Sequence, residues 1–235
     1  MNQPPAENRR TVRSFVRRAG RITPAQQRSL DGEWTRYGLD PGEAVLDPAS
    51  LFGRRAPCTL EIGFGNGENL ARRAAAEPGR DFIGVEVHRP GIGSLLRAAA
   101  AAGVGNLRVV EGDAVHLLQV NVAPASLDEV QVLFPDPWPK KRHHKRRLVQ
   151  PAFAELVASR LAPGGRLLLA TDWAPYAEHM REVLASCASL QPCLPSDAAH
   201  NNPAALPGRE PTRFERRGTR LGHEVTDLCY LRRAT

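Results

Sequence analysis

The chain has 235 residues, of which 42% are hydrophobic and 24% charged, enough for one α/β domain with a sizeable core. This composition excludes a disordered protein, and no apolar run approaches the roughly 18–20 residues of a membrane-spanning helix. The first fifteen residues lack the apolar segment of a signal peptide, so we expect a cytoplasmic protein with no membrane association. The cysteines, Cys58, Cys187, Cys193 and Cys229, form no CxxC pair and have no histidines at metal-ligand spacing, which predicts reduced thiols and no metal site.

The net charge of +7 is unevenly distributed along the chain. Residues 1–30 carry +6, residues 140–147 carry +6, residues 209–220 carry +3, and Arg232 with Arg233 adds +2, which leaves −10 for the rest. Local basic clusters on an acidic body predict a docking surface for a polyanion such as nucleic acid, and solvated arginine-rich loops are the alternative. All three lysines, against 29 arginines, lie in the second of these segments, which indicates that it is functional.

Strand and helix patterns alternate through most of the chain. A basic N-terminal arm at 1–30 and a mixed segment precede predicted strands at 58–62, 82–87, 107–111, 127–134 and 166–171, with helices at 68–77, 93–102, 148–161 and 175–190. Residues 213–231 are predicted as two strands separated by Gly222-His223. Strand–helix units of this length predict one Rossmann-like α/β domain over 31–235, with a doubly wound, mostly parallel sheet and an antiparallel C-terminal hairpin.

A glycine-rich loop, EIGFGNGE at 61–68, joins the first predicted strand to the first predicted helix. Gly63, Gly65 and Gly67 let the backbone turn sharply and let a ligand lie against it. This pattern alone is compatible with sites for NAD, FAD or S-adenosylmethionine.

Acidic residues stand at the ends of three consecutive predicted strands. Glu61 precedes the glycines, Glu86 ends the second strand, and Asp113 follows the third. Ligands bind at the carboxyl ends of strands in open α/β sheets. These carboxylates suit the amino group, the ribose hydroxyls and the adenine amino group of S-adenosylmethionine, so we favour that cofactor.

The fourth predicted strand runs into a proline-rich loop, FPDPWPKK at 134–141. Three prolines in five residues hold Asp136 and Trp138 in place with little loss of chain entropy. Trp138 offers a face for stacking a base, and the basic run after it offers phosphate contacts. The alternative is a rigid turn with a packed tryptophan.

Motifs over nearly the whole chain together resemble the bacterial tRNA (guanine-N7-)-methyltransferases. They are RSFVRRAGRIT at 13–23, EIGFGNGE at 61–68, GVEVHRPG at 84–91, PDPWPKKRHHKRR at 135–147, TDW at 171–173 and PTRFERRG at 211–218. The motif at 135–147 is highly specific to this family. The resemblance implies a class I methyltransferase fold and transfer of a methyl group from S-adenosylmethionine to guanine N7 at position 46 in the variable loop of tRNA, with S-adenosylhomocysteine as product.

The resemblance also implies roles for individual residues. Asp136 would be the catalytic residue. The cofactor would be bound by Glu61, Gly63, Gly65, Gly67, Glu86, Asp113 and Asp136. The substrate would be bound by Lys140, Asp172, Thr212, Arg213, Phe214 and Glu215, and RNA would be contacted by Arg142, His143, His144, Lys145, Arg146 and Arg147. The expected partner is tRNA, and a monomer and a homodimer are both compatible with the sequence.

The proposed chemistry agrees with the residue types. Guanine N7 has an in-plane lone pair and no proton, so the reaction needs alignment of the reactants more than a general base. Carboxylates such as Asp136 and Asp172 would stabilise the positive charge that develops on the ring. Two other classes stay open: a nicotinamide-dependent oxidoreductase, which gives the basic run no role, and a non-enzymatic RNA-binding module, which leaves the strand-end acids unexplained.

Overall fold

The computed structural model describes residue 15, residues 20–193, residue 215 and residues 224–234. Within these residues, eight strands form one sheet in the order β1-β4-β3-β2-β5-β6-β8-β7; the pairings of β8 with β6 and with β7 are antiparallel, and all the others are parallel. The strands are β1 Gly38–Leu39, β2 Cys58–Ile62, β3 Asp81–Glu86, β4 Leu107–Glu111, β5 Leu127–Leu133, β6 Leu161–Thr171, β7 Leu190–Pro192 and β8 Thr226–Arg232. The predicted doubly wound, mostly parallel sheet is confirmed.

Helices connect the strands and begin where the sequence favours a helix start. They are α1 Pro24–Tyr37, α2 Pro48–Phe52, α3 Glu68–Ala76, α4 Arg89–Ala102, α5 Ala114–His116 with a π-helical turn at Leu117–Asn121, a 3-10 helix at Lys141–Arg146, α6 Pro151–Arg160 and α7 Ala174–Ser186. Proline stands in the first turn of α1, α2, α4, α6 and α7, where its missing N–H leaves no helical hydrogen bond unmade. No described helix is long and apolar enough to cross a membrane.

The sheet is covered on both faces, as its buried central strands require. Every residue of β2 and β3 is buried. Leu70 of α3 and Leu95 of α4 pack in the core on one face with residues of α1, whereas Val157 of α6 and Met180 of α7 pack in the core on the other. The order of strands reverses between β2 and β5, because β3 and β4 lie to one side and β5 and β6 to the other. Ligands bind at the carboxyl ends of the strands at such a switch point.

Helix α1 begins inside the segment that the sequence predicts to be an arm. Thr23 and Gln26 form reciprocal side-chain to backbone hydrogen bonds at its start, and Leu30 is buried in the core with residues of α4. Residues 24–30 of the predicted arm are therefore helical, because a capping box followed by an apolar contact outweighs an arginine-rich composition. Most of residues 1–19 lies outside the described part of the chain.

The antiparallel pair at the C-terminal edge is confirmed, and among the described residues β8 pairs there with β7; the predicted strand within 213–221 falls almost entirely outside the described residues. Glu215 is helical, and residues 216–223 lie outside the described residues. Pairing of β7 with β8 places Cys193 beside Cys229, and the two form a disulfide with their Cα atoms 5.3 Å apart. The prediction of reduced thiols is wrong for this pair, since partners 36 residues apart meet only through the sheet register.

Candidate active site

The glycine loop after β2 has a backbone conformation that only glycine adopts easily. Gly63, Gly65 and Gly67 have φ angles of 71°, 59° and 73°, in the left-handed region. A Cβ atom at Gly67 would lie 2.5 Å from the Cβ of Leu95, and one at Gly91 would lie 2.1 Å from the carbonyl oxygen of Gly65. The loop is therefore packed directly against α4, with no room for side chains at these contacts.

A cavity of about 400 Å³ opens at the carboxyl ends of the central strands, at the switch point of the sheet. Its volume is within the range of small-molecule sites. Five of the seven predicted cofactor residues line it, namely Gly63, Gly65, Glu86, Asp113 and Asp136. Within the described residues, no group of three or more His, Cys, Asp or Glu side chains is arranged to hold a metal ion.

Two strand-end carboxylates are held in this cavity by backbone amides. Glu86 accepts hydrogen bonds through Oε2 from the N–H of Gly65 at 2.9 Å and through Oε1 from the N–H of Val87 at 2.7 Å. Asp113 caps α5 by accepting a hydrogen bond through Oδ1 from the N–H of Val115 at 2.9 Å. Both side chains are thereby fixed while they face the cavity, so they can accept further hydrogen bonds from a ligand.

Glu61 lies behind the glycine loop and does not line the cavity. Its side chain is 3% exposed, and its Oε2 atom has no hydrogen-bond partner of normal geometry among the described residues. Burial raises the pKa of Glu61 to about 7, with Arg73 and the nearby amide of Asn69 opposing that shift and Glu129 reinforcing it. A buried carboxyl oxygen without a partner is costly in the unbound protein. This arrangement fits a cationic amino group bound beside the loop.

A second buried glutamate, Glu129 on β5, has full charge compensation. Its Oε1 atom lies 2.9 Å from Nη1 of Arg73, and its Oε2 atom lies 2.8 Å from Nη2 of Arg166. Gln131 donates to the same Oε1 atom at 2.8 Å and pairs in register with Glu61 across the sheet. Burial alone would raise the pKa of Glu129, but the two arginines hold it below its ordinary value. Two neighbouring buried glutamates are thus in opposite electrostatic environments.

The proline-rich loop after β5 is bounded by strained residues. Phe134 and Trp138 have φ angles of 53° and 44°, a conformation that costs a non-glycine residue roughly 1–3 kcal/mol. A hydrogen bond at 2.8 Å from the N–H of Phe134 to the carbonyl oxygen of Ala170 fixes the start of the loop on β6. Asp136, between the two strained residues, is exposed at the rim of the cavity.

The basic run forms the 3-10 helix Lys141–Arg146, with Lys140 just before it, and its side chains are exposed or half-exposed. The guanidinium carbon of Arg146 lies 5.1 Å from the centre of the Trp138 ring, and the His143 ring is nearly perpendicular to the Trp138 ring, with the two ring centres 5.7 Å apart. One face of Trp138 is therefore covered, in agreement with the packed-tryptophan alternative. Loss of solvation and the neighbouring cations lower the pKa of His143.

Arg147 differs from the rest of the basic run because its side chain is 4% exposed. Its Nε donates to the carbonyl oxygen of Pro137 at 3.0 Å, and an Nη atom lies 3.2 Å from Nε2 of His144. The guanidinium carbon is 4.9 Å from the centre of the Tyr176 ring on α7. Arg147, which the resemblance assigns to RNA contact, thus has its donor groups covered by the proline-rich loop and α7.

The other residues predicted to bind substrate are only partly described. Asp172 is half-buried between β6 and α7, and Lys140 is exposed at the start of the 3-10 helix. Glu215 is half-buried and helical. Thr212, Arg213 and Phe214 lie outside the described residues.

Two aromatic residues of the cavity have no counterpart in the sequence-based site. Phe15, from the N-terminal segment, and His88, two residues after the end of β3, both line it. The sequence could have indicated His88, because it follows directly after a predicted strand, where ligands bind in such sheets. Phe15 lies in the motif at 13–23, but that motif does not indicate a contact with the cavity.

The fold and this strand-end site define a methyltransferase of the class I fold. A 16S rRNA (adenine(1408)-N(1))-methyltransferase variant from Catenulisporales acidiphilia, solved with its cosubstrate S-adenosylmethionine, matches with a TM-score of 0.52 at 20% identity, covering 83% of this chain and 92% of that chain. The 16S rRNA methyltransferase KamB matches with a TM-score of 0.51 at 18% identity, covering 79% and 92%. These identities show a shared fold alone.

Sequence relatives define the family more narrowly. A family model described as "Putative methyltransferase" matches residues 55–228. The tRNA (guanine-N(7)-)-methyltransferase of Halorhodospira halophila is 53% identical over 98% of this chain and 96% of its own length. That of Methylococcus capsulatus is 55% identical over 97% and 96%, and that of Pseudomonas aeruginosa 54% identical over 95% and 90%. The chain belongs to the tRNA (guanine-N(7)-)-methyltransferase family.

Proposed function

We propose that this chain transfers the methyl group of S-adenosylmethionine to N7 of a guanine in tRNA, at position 46 in the variable loop. The observation that carries the proposal is the cavity at the switch point, which has carboxylates at successive strand ends and an exposed basic helix next to it. Relatives above 50% identity that bear this activity in their names support the choice of substrate.

The residues of the cavity fit S-adenosylmethionine, which supplies a methyl group on a positively charged sulfur when it is bound. Glu86 would accept hydrogen bonds from the ribose hydroxyls, and Asp113 from the adenine amino group. Glu61, which is buried next to the glycine loop and outside the cavity lining, would pair with the α-amino group if that group reaches past the loop, and its Oε2 atom would then gain a partner. The glycine loop leaves space for the ligand because Gly63 and Gly65 present backbone alone to the cavity.

The guanine would lie between the cavity and the proline-rich loop. Asp136 is the proposed catalytic residue, because it is exposed at the rim where the base must enter. Methylation of N7 removes no proton and places a positive charge on the ring, so a carboxylate stabilises the product-like transition state electrostatically. The same carboxylate can accept hydrogen bonds from donors on guanine that adenine lacks. Lys140, Asp172 and the segment 212–215 complete the proposed substrate site.

The exposed side chains of the basic run form the proposed RNA surface, which consists of Arg142, His143, His144, Lys145 and Arg146. A phosphate near His143 would reverse the effect of the neighbouring cations on its pKa. We further propose that the protein acts in the cytoplasm, as a monomer or a homodimer.

The experiment that tests this function combines a binding and a transfer measurement. Titration calorimetry with S-adenosylhomocysteine and with NADH should detect binding of the first alone. Methyl-labelled S-adenosylmethionine should then label unmodified tRNA. Binding of NADH instead would favour an oxidoreductase, and binding of neither ligand together with tight binding of tRNA would favour an RNA-binding module.

A further inference from the structure

We infer that Arg147 is a positioning residue that fixes the loop carrying Asp136 against α7, and that it takes no part in RNA binding. The inference rests on the proposed role of Asp136. The last residue of the basic run would therefore position the loop with Asp136, whereas the residues before it would bind RNA.

The contacts of Arg147 lead to the loop and to α7. Its Nε hydrogen bond ends on the carbonyl oxygen of Pro137, the residue directly after Asp136. Its guanidinium also packs on the ring of Tyr176, which is fully buried and accepts a hydrogen bond from the N–H of Val149 at 3.2 Å. Arg147 thus connects the loop to a rigid part of the core.

The loop needs such a tether on its C-terminal side. The hydrogen bond from the N–H of Phe134 to Ala170 holds the loop where it leaves β5. Trp138, on the other side of Asp136, has a positive φ angle that a free loop would relax to a more favourable value. The bond from Arg147 to Pro137 lies between Asp136 and this strained residue. It is therefore placed to keep the Asp136 carboxylate at the rim of the cavity.

The surroundings of Arg147 argue against a role as a surface cation. Among the described residues its contacts are a carbonyl oxygen, a histidine ring and an aromatic face, and none is a carboxylate. Burial lowers its pKa. A cation buried without a counterion is costly, and a lysine cannot reproduce a planar group that stacks and donates at once.

Helix α7 also begins directly after Asp172 and Trp173, which follow β6. Packing of Arg147 on Tyr176 therefore ties the loop with Asp136 to the helix that starts beside Asp172. The loop with Asp136 and the helix that begins after Asp172 are thus connected through one side chain. A small displacement of reacting groups is enough to reduce the rate about 100-fold.

The test compares Arg147→Ala and Arg147→Lys with matched variants of Arg160. Arg160 also donates through Nε to a backbone carbonyl, that of Leu118 at 2.7 Å, but it does so at the far end of α6 from the cavity. We expect kcat to fall about 10- to 100-fold in both Arg147 variants, with the KM for S-adenosylmethionine changed by less than about threefold. Both Arg160 variants should keep the wild-type kcat.

Two further readouts separate positioning from RNA contact and from a general loss of structure. The slope of log Kd for tRNA against log salt should be unchanged in the Arg147 variants, whereas Arg142→Ala should reduce it by about 0.9. Guanidinium chloride at millimolar concentration should restore part of kcat to Arg147→Ala, and sodium chloride at the same concentration should not.

Three results would overturn the inference. A wild-type kcat with a reduced salt slope would make Arg147 an RNA contact. If kcat falls in proportion to Tm, and to the same extent in the Arg147 and the Arg160 variants, the role of Arg147 is purely structural. A loss of kcat in Arg147→Ala that guanidinium does not restore, together with full activity in Arg147→Lys, would show that charge alone matters. Wild-type protein that fails to methylate tRNA would instead refute the proposed function.

Discussion

At the scale of single residues, the two glutamates beneath the glycine loop respond to opposite environments. Glu61 has an unpartnered oxygen and a pKa raised to about 7 by burial, whereas Glu129 lies between two arginines that lower its pKa. In the unbound protein, the ionised form of Glu61 is therefore destabilised, whereas the charge of Glu129 is balanced by the two arginines. Such a destabilised group is typical of a site that awaits a charged ligand.

We predict that Glu61→Gln stabilises the unbound protein at pH 8 but has little effect at pH 5. The pKa of Glu61 is about 7 in the folded protein and 4.5 in the unfolded chain, so folding favours the protonated carboxyl. The stability that this contributes is fully present below pH 4.5 and is lost as the pH rises to about 7. Glutamine does not titrate, so its advantage should appear only where the wild-type group must ionise. The measurement is Tm at both pH values without ligand.

The matched control is Glu129→Gln, which removes the carboxylate shared by Arg73 and Arg166. The lowered pKa of Glu129 keeps it ionised at both pH values, so this variant should lose roughly 3–5 kcal/mol at each. An equal change in Tm at pH 5 and pH 8 for Glu61→Gln would contradict the account of Glu61.

The charge of Asp136 should matter more for the rate of methyl transfer than for cofactor binding. We predict that Asp136→Asn lowers kcat by about 100-fold, because it removes a negative charge next to the ring that becomes positive. Its affinity for S-adenosylhomocysteine should fall by a much smaller factor, because the other residues of the cavity still bind the cofactor. Single-turnover methyl transfer between pH 6 and pH 9 measures this directly. A normal rate with a flat profile over this range would exclude any essential role for the charge.

At the scale of elements, the strands that build the site were predictable and the segments that join them were less so. The runs that became β2, β3 and β4 were bounded correctly to within about one residue, because fully buried parallel strands are continuously apolar. Their following acids were therefore placed at the correct edge of the sheet. Packing across the sheet determines the remaining differences, which include the start of α1, the partner of β8 and the Cys193–Cys229 bond.

The residues of the basic run show the same limit. Its composition predicted one surface of like charges, and six of its residues do form an exposed 3-10 helix. Arg147, with the same side chain as its neighbour, is turned inward to meet Pro137 and Tyr176. The sequence alone cannot separate the two arginines, because the contacts that bury the second come from the loop and from α7.

We predict that the lysines of this element bind phosphate. Replacement of Lys140, Lys141 and Lys145 by alanine should weaken tRNA binding and lower the slope of log Kd against log salt by up to about 0.9 per lost contact. The measurement is filter binding of unmodified tRNA over a range of salt concentrations. The control is alanine at three exposed arginines outside the run, Arg55, Arg97 and Arg181, which changes the net charge equally. An unchanged slope in the lysine variant, or an equal change in both, would place the RNA elsewhere.

At the scale of the whole molecule, the charge distribution and the sheet topology place the proposed sites for a cationic cofactor and for RNA at the same edge of the sheet. The chain outside its basic segments carries −10, and two of its strand-end carboxylates, Glu86 and Asp113, line the cavity. The basic run follows directly from the loop at the rim of that cavity, so a bound polyanion is held beside it. Acids repel phosphate, and the cavity is therefore suited to a cationic cofactor and to a base that becomes cationic, while the helix next to it attracts the backbone.

The central claim is methylation of guanine N7 in the variable loop of tRNA, and cleavage at 7-methylguanine tests it most directly. Unmodified tRNA is incubated with the protein and S-adenosylmethionine, then treated with borohydride and aniline, with Asp136→Asn as the control. We predict one cut, in the variable loop at position 46, that is much weaker in the control. Transfer of methyl groups to tRNA without that cut, or no transfer at all, would contradict the account.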